Sequence, residues 1–338
     1  MRYKRVVIAR IGGPEVLEMI EEEIPKPGAQ QVLVRVQAAG VARADLLMRK
    51  GKYPGTVPAL PYSPGYDIAG IIEEVGEGVT GLREGQPVVA LTKTGGYSQF
   101  VCLCAKDLVA APAGLDPAET VSLGLNYITA HQMLHRFAKV RQGERVLVHA
   151  AASGVGTALI QLGALVGLEQ YGTASTGKHD VVLSLGARPI DYRSEDFLVR
   201  IREWTGSGVD AVFDPVGGAH LWRSFQALRR GGRLVAYGEM SVTQAARPSL
   251  VESLQHRAIP VLLRFGPGGR KAMWYECYPT NKEHPDWFHG DLSLLLEMLA
   301  QGKLKPVVAE RLPLQQAALA HIKLEAAAVS GKIVLMCE

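Results

Sequence analysis

The sequence predicts a two-domain α/β protein, a compact β-barrel joined to a doubly wound parallel sheet. Three observations predict it. At 338 residues the chain exceeds one average domain. Residues 1 to about 122 read as short strands punctuated by Gly and Pro, the rhythm of a small barrel. Beyond them strand and helix alternate, which implies parallel strands covered by helices on both faces.

In the first region the strands are KRVVIA, QVLVRVQAAG, YDIAGIIEEVG, QPVVAL, YSQFVCL and DLVAAP. The second region opens with the strand VRQGERVLVHA. A turn crowded with small residues follows, then a helix whose apolar Val155, Leu159, Ile160 and Leu162 recur at helical spacing. Next come LEQYGTAS, HDVVLSLG, ARPIDY, a helix DFLVRIREW, a strand VDAVFD, a helix LWRSFQALRR and a strand GRLVAYG. From about residue 263 the chain reads as irregular (RFGPGGRKAMWYECYPTNKEHPDW). A helix DLSLLLEMLAQG, a strand KPVVAE, a helix LQQAALAHIKLE and a last strand GKIVLMC close it. This final piece is too small to fold alone and is expected to complete the first domain.

With 47% hydrophobic and 21% charged residues the chain has the balance of a soluble globular protein. Its net charge of +4 is too mild to suggest nucleic acid, and the basic MRYKR reads as a solvated strand end. No apolar run reaches membrane-spanning length and no signal peptide opens the sequence, so a cytoplasmic protein is expected. Cys102, Cys104, Cys277 and Cys337 lack disulfide or zinc-knuckle spacing and are expected to be free thiols.

The stretch HAAASGVGTALIQL carries the chemistry. A strand, a tight turn and a helix in that order present the free amides of the helix's first turn to an anion. The dinucleotide fingerprint G-x-G-x-x-G falls on Ala151, Ser153 and Gly156, with Gly154 and Val155 between. About 20 residues on, an acid would grip the ribose hydroxyls of NAD; here Ser175 stands, followed by Lys178. A hydroxyl and an ammonium attract a 2′-phosphate where a carboxylate repels one, so NADPH is the expected cofactor.

GLNYITAHQML, VLVHAAASGVG, YGTASTGKH, PIDY, VFDPVGG and GKIVL resemble the medium-chain dehydrogenase/reductase superfamily, in its zinc-free quinone oxidoreductase branch. That branch includes zeta-crystallin and the synaptic-vesicle amine-transport protein homologues. The resemblance implies a GroES-like β-barrel substrate domain built from residues 1–123 and 264–338, and a Rossmann domain over 124–263, with the cofactor at their junction. It implies that Ser153, Gly154, Val155 and Gly156 meet the pyrophosphate, and that Ser175, Lys178 and Tyr192 surround the 2′-phosphate. It further implies that Thr129 lies near the nicotinamide, Lys332 near the pyrophosphate, and Gly238 in the cofactor site. Tyr53 matches a cleft tyrosine of zinc-free relatives and Asp45 an acid of the superfamily, and these two are the expected catalytic residues.

The zinc-ligand positions of the superfamily's alcohol dehydrogenases fall here on Ala42, Tyr66 and Leu125, and the proton-relay hydroxyl on Ala44. A methyl, a phenol and an isobutyl group do not build a zinc site, so no metal is expected. Quinones and activated enones accept hydride without one because the developing oxyanion is delocalised. The resemblance therefore implies a zinc-independent NADPH-dependent reductase of a quinone or α,β-unsaturated carbonyl. The alternatives are an enoyl-thioester reductase of polyketide type and, in another class, a non-catalytic NADPH-binding sensor or structural protein. His131 and His149 read as packing or hydrogen-bonding residues, Trp287 and Phe288 as core or interface. A homo-oligomer, dimer or tetramer, is expected by resemblance, with RRGGRLVAYG the candidate pairing edge.

Overall fold

The computed structural model describes residues 1–240, 263 and 267–337. The chain divides into two compact units, Met1–Ile128 with His284–Glu338, and Thr129–Glu283. The first expected boundary, at 123/124, falls five residues before this division. The second, at 263/264, borders residues outside the described ones, and residues 267–283 belong to the second unit rather than to the first.

In the first unit β1 (Arg2–Ile8) and β2 (Leu17–Glu23) form an antiparallel ribbon. The acidic β2 was not read as a strand; its pairing with the basic β1 supplies the signal its composition lacks. The long β3 (Gln31–Val41) pairs antiparallel with β4 (Ile68–Val75), which pairs with β5 (Pro87–Ala90). Further on, β6 (Phe100–Cys104) returns to β3, and β7 (Leu108–Ala110) lies against β5. The β-branched residues Val32, Val34, Val36, Ile68, Ile72 and Val88 meet inside in one core. Helix α1 (Arg43–Arg49) follows β3, and its Asp45 accepts the Ala42 amide at 2.8 Å, tying down the helix start. Helix α2 (Pro117–Ser122) begins at Asp116, whose side chain accepts the Glu119 amide. Helix α3 (Ile128–Gln132) carries Thr129.

Among the described residues the second unit holds a six-stranded, wholly parallel sheet made of β8 (Arg145–Val148), β9 (Glu169–Ala174), β10 (Ala187–Asp191), β11 (Val209–Asp214), β12 (Leu228–Ala236) and β13 (Lys271–Trp274). Their spatial order is β10-β9-β8-β11-β12-β13. The chain leaves β8 toward β9 on one side and later returns to its other side with β11. This is the switch point at which open α/β sheets bind ligands. β11 is buried along its whole length, as helices on both faces require. Helices α4 (Gly154–Val166), α5 (His179–Ser184), α6 (Phe197–Thr205) and α7 (His220–Gln226) connect the strands. Three expectations are corrected here. Helix α7 stops at Gln226, because Leu228 is drawn into β12 by pairing with Val209. The stretch read as irregular contains β13 and a helix, Cys277–Glu283. Finally, RRGGRLVAYG is not an edge, since β12 lies between β11 and β13.

The first unit is completed by a helix, Pro285–Ala300, by β14 (Val308–Pro313), by a helix, Ala317–Glu325, and by β15 (Lys332–Met336). β15 pairs with β3 and brings Ile333 and Leu335 into its core. Phe288 is buried, and Trp287 stacks on His284. All four cysteines are free. Among the described residues no helix is long and apolar enough to cross a membrane.

Candidate active site

The glycine-poor turn joins β8 to α4. Ala150 takes φ 53°, a left-handed conformation rare for alanine, and its carbonyl accepts the Ser153 amide at 2.9 Å. Ser153 is the N-cap of α4, its hydroxyl accepting the Gly156 amide at 3.0 Å. The amides of Gly154 and Val155 belong to the first helical turn, where no intrahelical acceptor exists. Gly156 is required by space: a Cβ there would lie 2.3 Å from the Ala150 oxygen and 2.7 Å from that of Ala151. Gly238 is required likewise, its Cβ position being 2.6 Å from the Pro215 oxygen. The Thr129 hydroxyl is buried without a hydrogen-bond partner.

At the end of β9, Ser175 caps a short 3-10 turn that ends in Lys178. Burial, and then the neighbouring Arg193 charge, push the Lys178 ammonium down from its usual pKa. Two cations thus share one locality. The sequence reading missed Arg193, a single charged residue after β10 that carries no pattern of its own. The nearby Asp191 carboxylate is engaged by the Thr176 and Ser194 hydroxyls at 2.7 and 2.9 Å and by the Arg193 amide at 3.1 Å. Tyr192 is exposed, with the Arg193 guanidinium 5.8 Å from its ring centre.

In the first unit Tyr53 and Tyr66 face each other, their hydroxyls 2.9 Å apart, and the Lys93 ammonium lies 5.7 Å from the Tyr53 ring centre. Tyr66 is buried and Tyr53 partly exposed. Asp45, the other residue expected to be catalytic, lies among backbone amides. It is fully buried, with its oxygens accepting the amides of Ala42 (2.8 Å) and Gly65 (2.9 Å) and facing the Tyr97 hydroxyl at 3.3 Å. Burial pushes its carboxyl up to about 7 against the pull of those amides. Through these bonds Asp45 ties down the Gly65 amide, next in the chain to Tyr66. Lys332 is paired within its own unit: its buried ammonium lies 2.8 and 2.9 Å from the two oxygens of Asp67. Gly40 makes room for the pair, since a Cβ there would sit 2.3 Å from Asp67 and from the Lys332 stem.

Residues 28–113 match the alcohol dehydrogenase GroES-like domain, and residues 185–335 the zinc-binding dehydrogenase domain. Quinone oxidoreductase of Rattus norvegicus is 32% identical over 341 residues, 98% of this chain and 97% of the relative. The chain belongs to the zinc-free quinone oxidoreductase branch of the medium-chain dehydrogenase/reductase superfamily. The synaptic vesicle membrane protein VAT-1 homolog of Danio rerio is 31% identical, with 99% of this chain and 70% of the relative covered. Among solved structures, Escherichia coli quinone oxidoreductase complexed with NADPH matches with a TM-score of 0.87 at 29% identity, covering 98% of this chain and 99% of that one. The fold is thus the branch's Rossmann doubly wound sheet with a GroES-like β-barrel domain. In this member of the superfamily the zinc-ligand positions do not fit a metal: Ala42 offers a methyl group, Tyr66 a phenol whose hydroxyl lies 2.9 Å from that of Tyr53, and Leu125 a hydrocarbon.

Proposed function

We propose that the protein is a zinc-independent, NADPH-dependent reductase delivering hydride to a quinone or an α,β-unsaturated carbonyl. The observation that carries the cofactor half is the locality of Ser175, Lys178 and Arg193 after β9 and β10, where the ribose-binding acid of an NAD enzyme is absent. The Gly154 and Val155 amides suit the diphosphate, and the orphaned Thr129 hydroxyl suits the nicotinamide carboxamide. Tyr192 fits beside the 2′-phosphate, and Gly238 leaves room where a side chain would collide. The E. coli relative of matching fold was solved with NADPH, as was a mycobacterial one.

Bound NADPH would supply the hydride. The protein's own part is orientation and a hydrogen bond to the carbonyl oxygen as negative charge grows there. The Tyr53 hydroxyl, partly exposed and 2.9 Å from that of Tyr66, is the donor we assign to that oxygen. A delocalised acceptor needs no stronger electrophile than that.

Steady-state oxidation of NADPH against a quinone, an enone and an enoyl thioester tests the acceptor half. Turnover of the first two supports the proposal; turnover of the thioester alone, or of none, sinks it. Calorimetric titration tests the cofactor half. NADPH is expected to bind at least about tenfold more tightly than NADH, one charge-assisted phosphate contact being worth about 1.5–3 kcal/mol. Lys178→Ala and Arg193→Ala should each shrink that ratio, and equal affinities in the parent would remove the phosphate reading.

A further inference from the structure

We infer that Thr173, His149 and Ser224 are positioning residues that hold Ala150 left-handed at the entrance of the phosphate-binding turn, through a hydrogen-bond chain anchored on Asp214. The inference rests on the reading that this turn holds the diphosphate of NADPH.

The chain begins where β11 ends. One oxygen of Asp214 accepts the amides of Val216 (2.7 Å) and Gly217 (3.1 Å), and the other faces Ser224 Oγ at 2.6 Å and His220 Nδ1 at 2.8 Å. Ser224 Oγ is also 3.1 Å from His149 Nε2, His149 Nδ1 is 3.0 Å from Thr173 Oγ1, and Thr173 Oγ1 faces the Ala150 amide at 3.3 Å. Donor counting fixes every direction. The single hydroxyl proton of Ser224 goes to the carboxylate, so its oxygen accepts from His149 Nε2–H. A neutral imidazole then has only a lone pair at Nδ1, so Thr173 donates to it and is left with an oxygen to accept the Ala150 N–H. Burial holds His149 neutral, as the chain requires, lowering its pKa to about 3. His149, Asp214, Thr173 and Ser224 are all buried.

The same cluster does not read as a metal centre. Ligand atoms of His149, Asp214 and His220 lie within 4.8 Å of one another, but Ser224 Oγ sits among them, 3.1, 2.6 and 3.3 Å from its three neighbours. What the chain reaches is a strained backbone. Ala150 has φ 53°, and its carbonyl receives Ser153 and passes close to Gly156. The hold on Ala150 therefore sets where the amides of Gly154 and Val155 point.

The test compares NADPH with adenosine 2′-monophosphate, which carries the 2′-phosphate but no diphosphate. Thr173→Val should raise the NADPH Kd about tenfold while leaving the adenosine 2′-monophosphate Kd within about twofold, and Thr173→Ser should bind both as the parent does. Ala150→Gly placed in Thr173→Val should recover most of the lost affinity, because glycine takes positive φ unaided. Hydrogen exchange without any cofactor should show the Ala150 amide less protected in Thr173→Val and in Ser224→Ala. Parent-like NADPH binding and Ala150 protection in Thr173→Val would overturn the inference, as would an Ala150→Gly that recovers nothing. If Thr173→Val fails to fold, Ser224→Ala takes its place with the same expectations. A parent that binds no NADPH refutes the functional reading instead, while the exchange measurement still decides whether the chain holds Ala150.

Discussion

Tyr66 stands where metal-dependent members of the superfamily carry a histidine ligand, and its hydroxyl is turned to Tyr53 at 2.9 Å. The pair has an inner member, Tyr66, whose backbone neighbour Gly65 is held by Asp45, and an outer member, Tyr53. If the outer hydroxyl meets the acceptor, its loss should affect the transition state more than cofactor binding. Tyr53→Phe is expected to lower kcat/KM for an enone by roughly 10- to 100-fold with NADPH affinity within about twofold of the parent. Tyr66→Phe removes the bond that orients the outer hydroxyl, so its effect should be smaller, about 3- to 10-fold. A quinone should suffer less from either change, since its reduced form is a stabilised aromatic anion that water can protonate. Equal enone rates for Tyr53→Phe and the parent would make Tyr53 a wall of the site. The sequence alone showed Tyr53 by likeness to relatives and left Tyr66 as a lost metal ligand; only the fold brings the two hydroxyls together.

At the scale of elements, the turn between β8 and α4 was the most legible feature, because its constraints are local. Gly156 is glycine since a Cβ would collide with two backbone oxygens that cannot swing aside. Gly156→Ala should therefore lower the melting temperature by several degrees and abolish NADPH binding, the helix start having to shift by a few tenths of an ångström or more. Normal melting and binding would show the turn to be more pliant than its geometry implies. The sequence also gave away most strands of both sheets through their apolar runs. It concealed β13, four residues between GPGGR and YECYP, because that strand is made by the open edge of β12 rather than by a pattern of its own. It misplaced the end of α7 for the same reason: LWRSFQALRR stays amphipathic past Gln226, but Leu228 is claimed by β11. The pairing of Lys332 was hidden because its partner, Asp67, is remote in sequence and joined only when β15 closes on β3.

At the scale of the whole molecule, each unit buries a histidine that burial holds neutral, His321 in the first and His149 in the second, each lowered to about 3. An unfolded chain protonates both near pH 6.5. A depressed base stabilises the fold above the unfolded pKa, and that contribution is lost as pH falls from about 6.5 toward 3. At about 1.4 kcal/mol per unit this amounts to roughly 5 kcal/mol for each histidine, comparable with the stability of a domain. The first unit carries a counterweight. Burial raises Asp45 to about 7 from a usual value near 4, so its contribution has the opposite sign. The folded state binds this proton more readily than the unfolded one, and stability grows as pH falls from about 7 to 4. The second unit has no such counterweight in its anchor, because the hydrogen bond from His220 and the nearby imidazoles outweigh burial and hold Asp214 down to about 2, which adds a further loss below pH 4. The two units should therefore part company in acid. Hydrogen exchange between pH 6.5 and 4 is expected to show the amides of β8, β9 and β11 losing protection before those of β3, β4 and β5. Asp45→Asn, which cannot take up the proton, should make the first unit lose protection over the same range as the second. Simultaneous loss in the parent, or an Asp45→Asn whose first unit keeps the parent's pH profile, would show that neither the buried histidines nor Asp45 govern the acid limb.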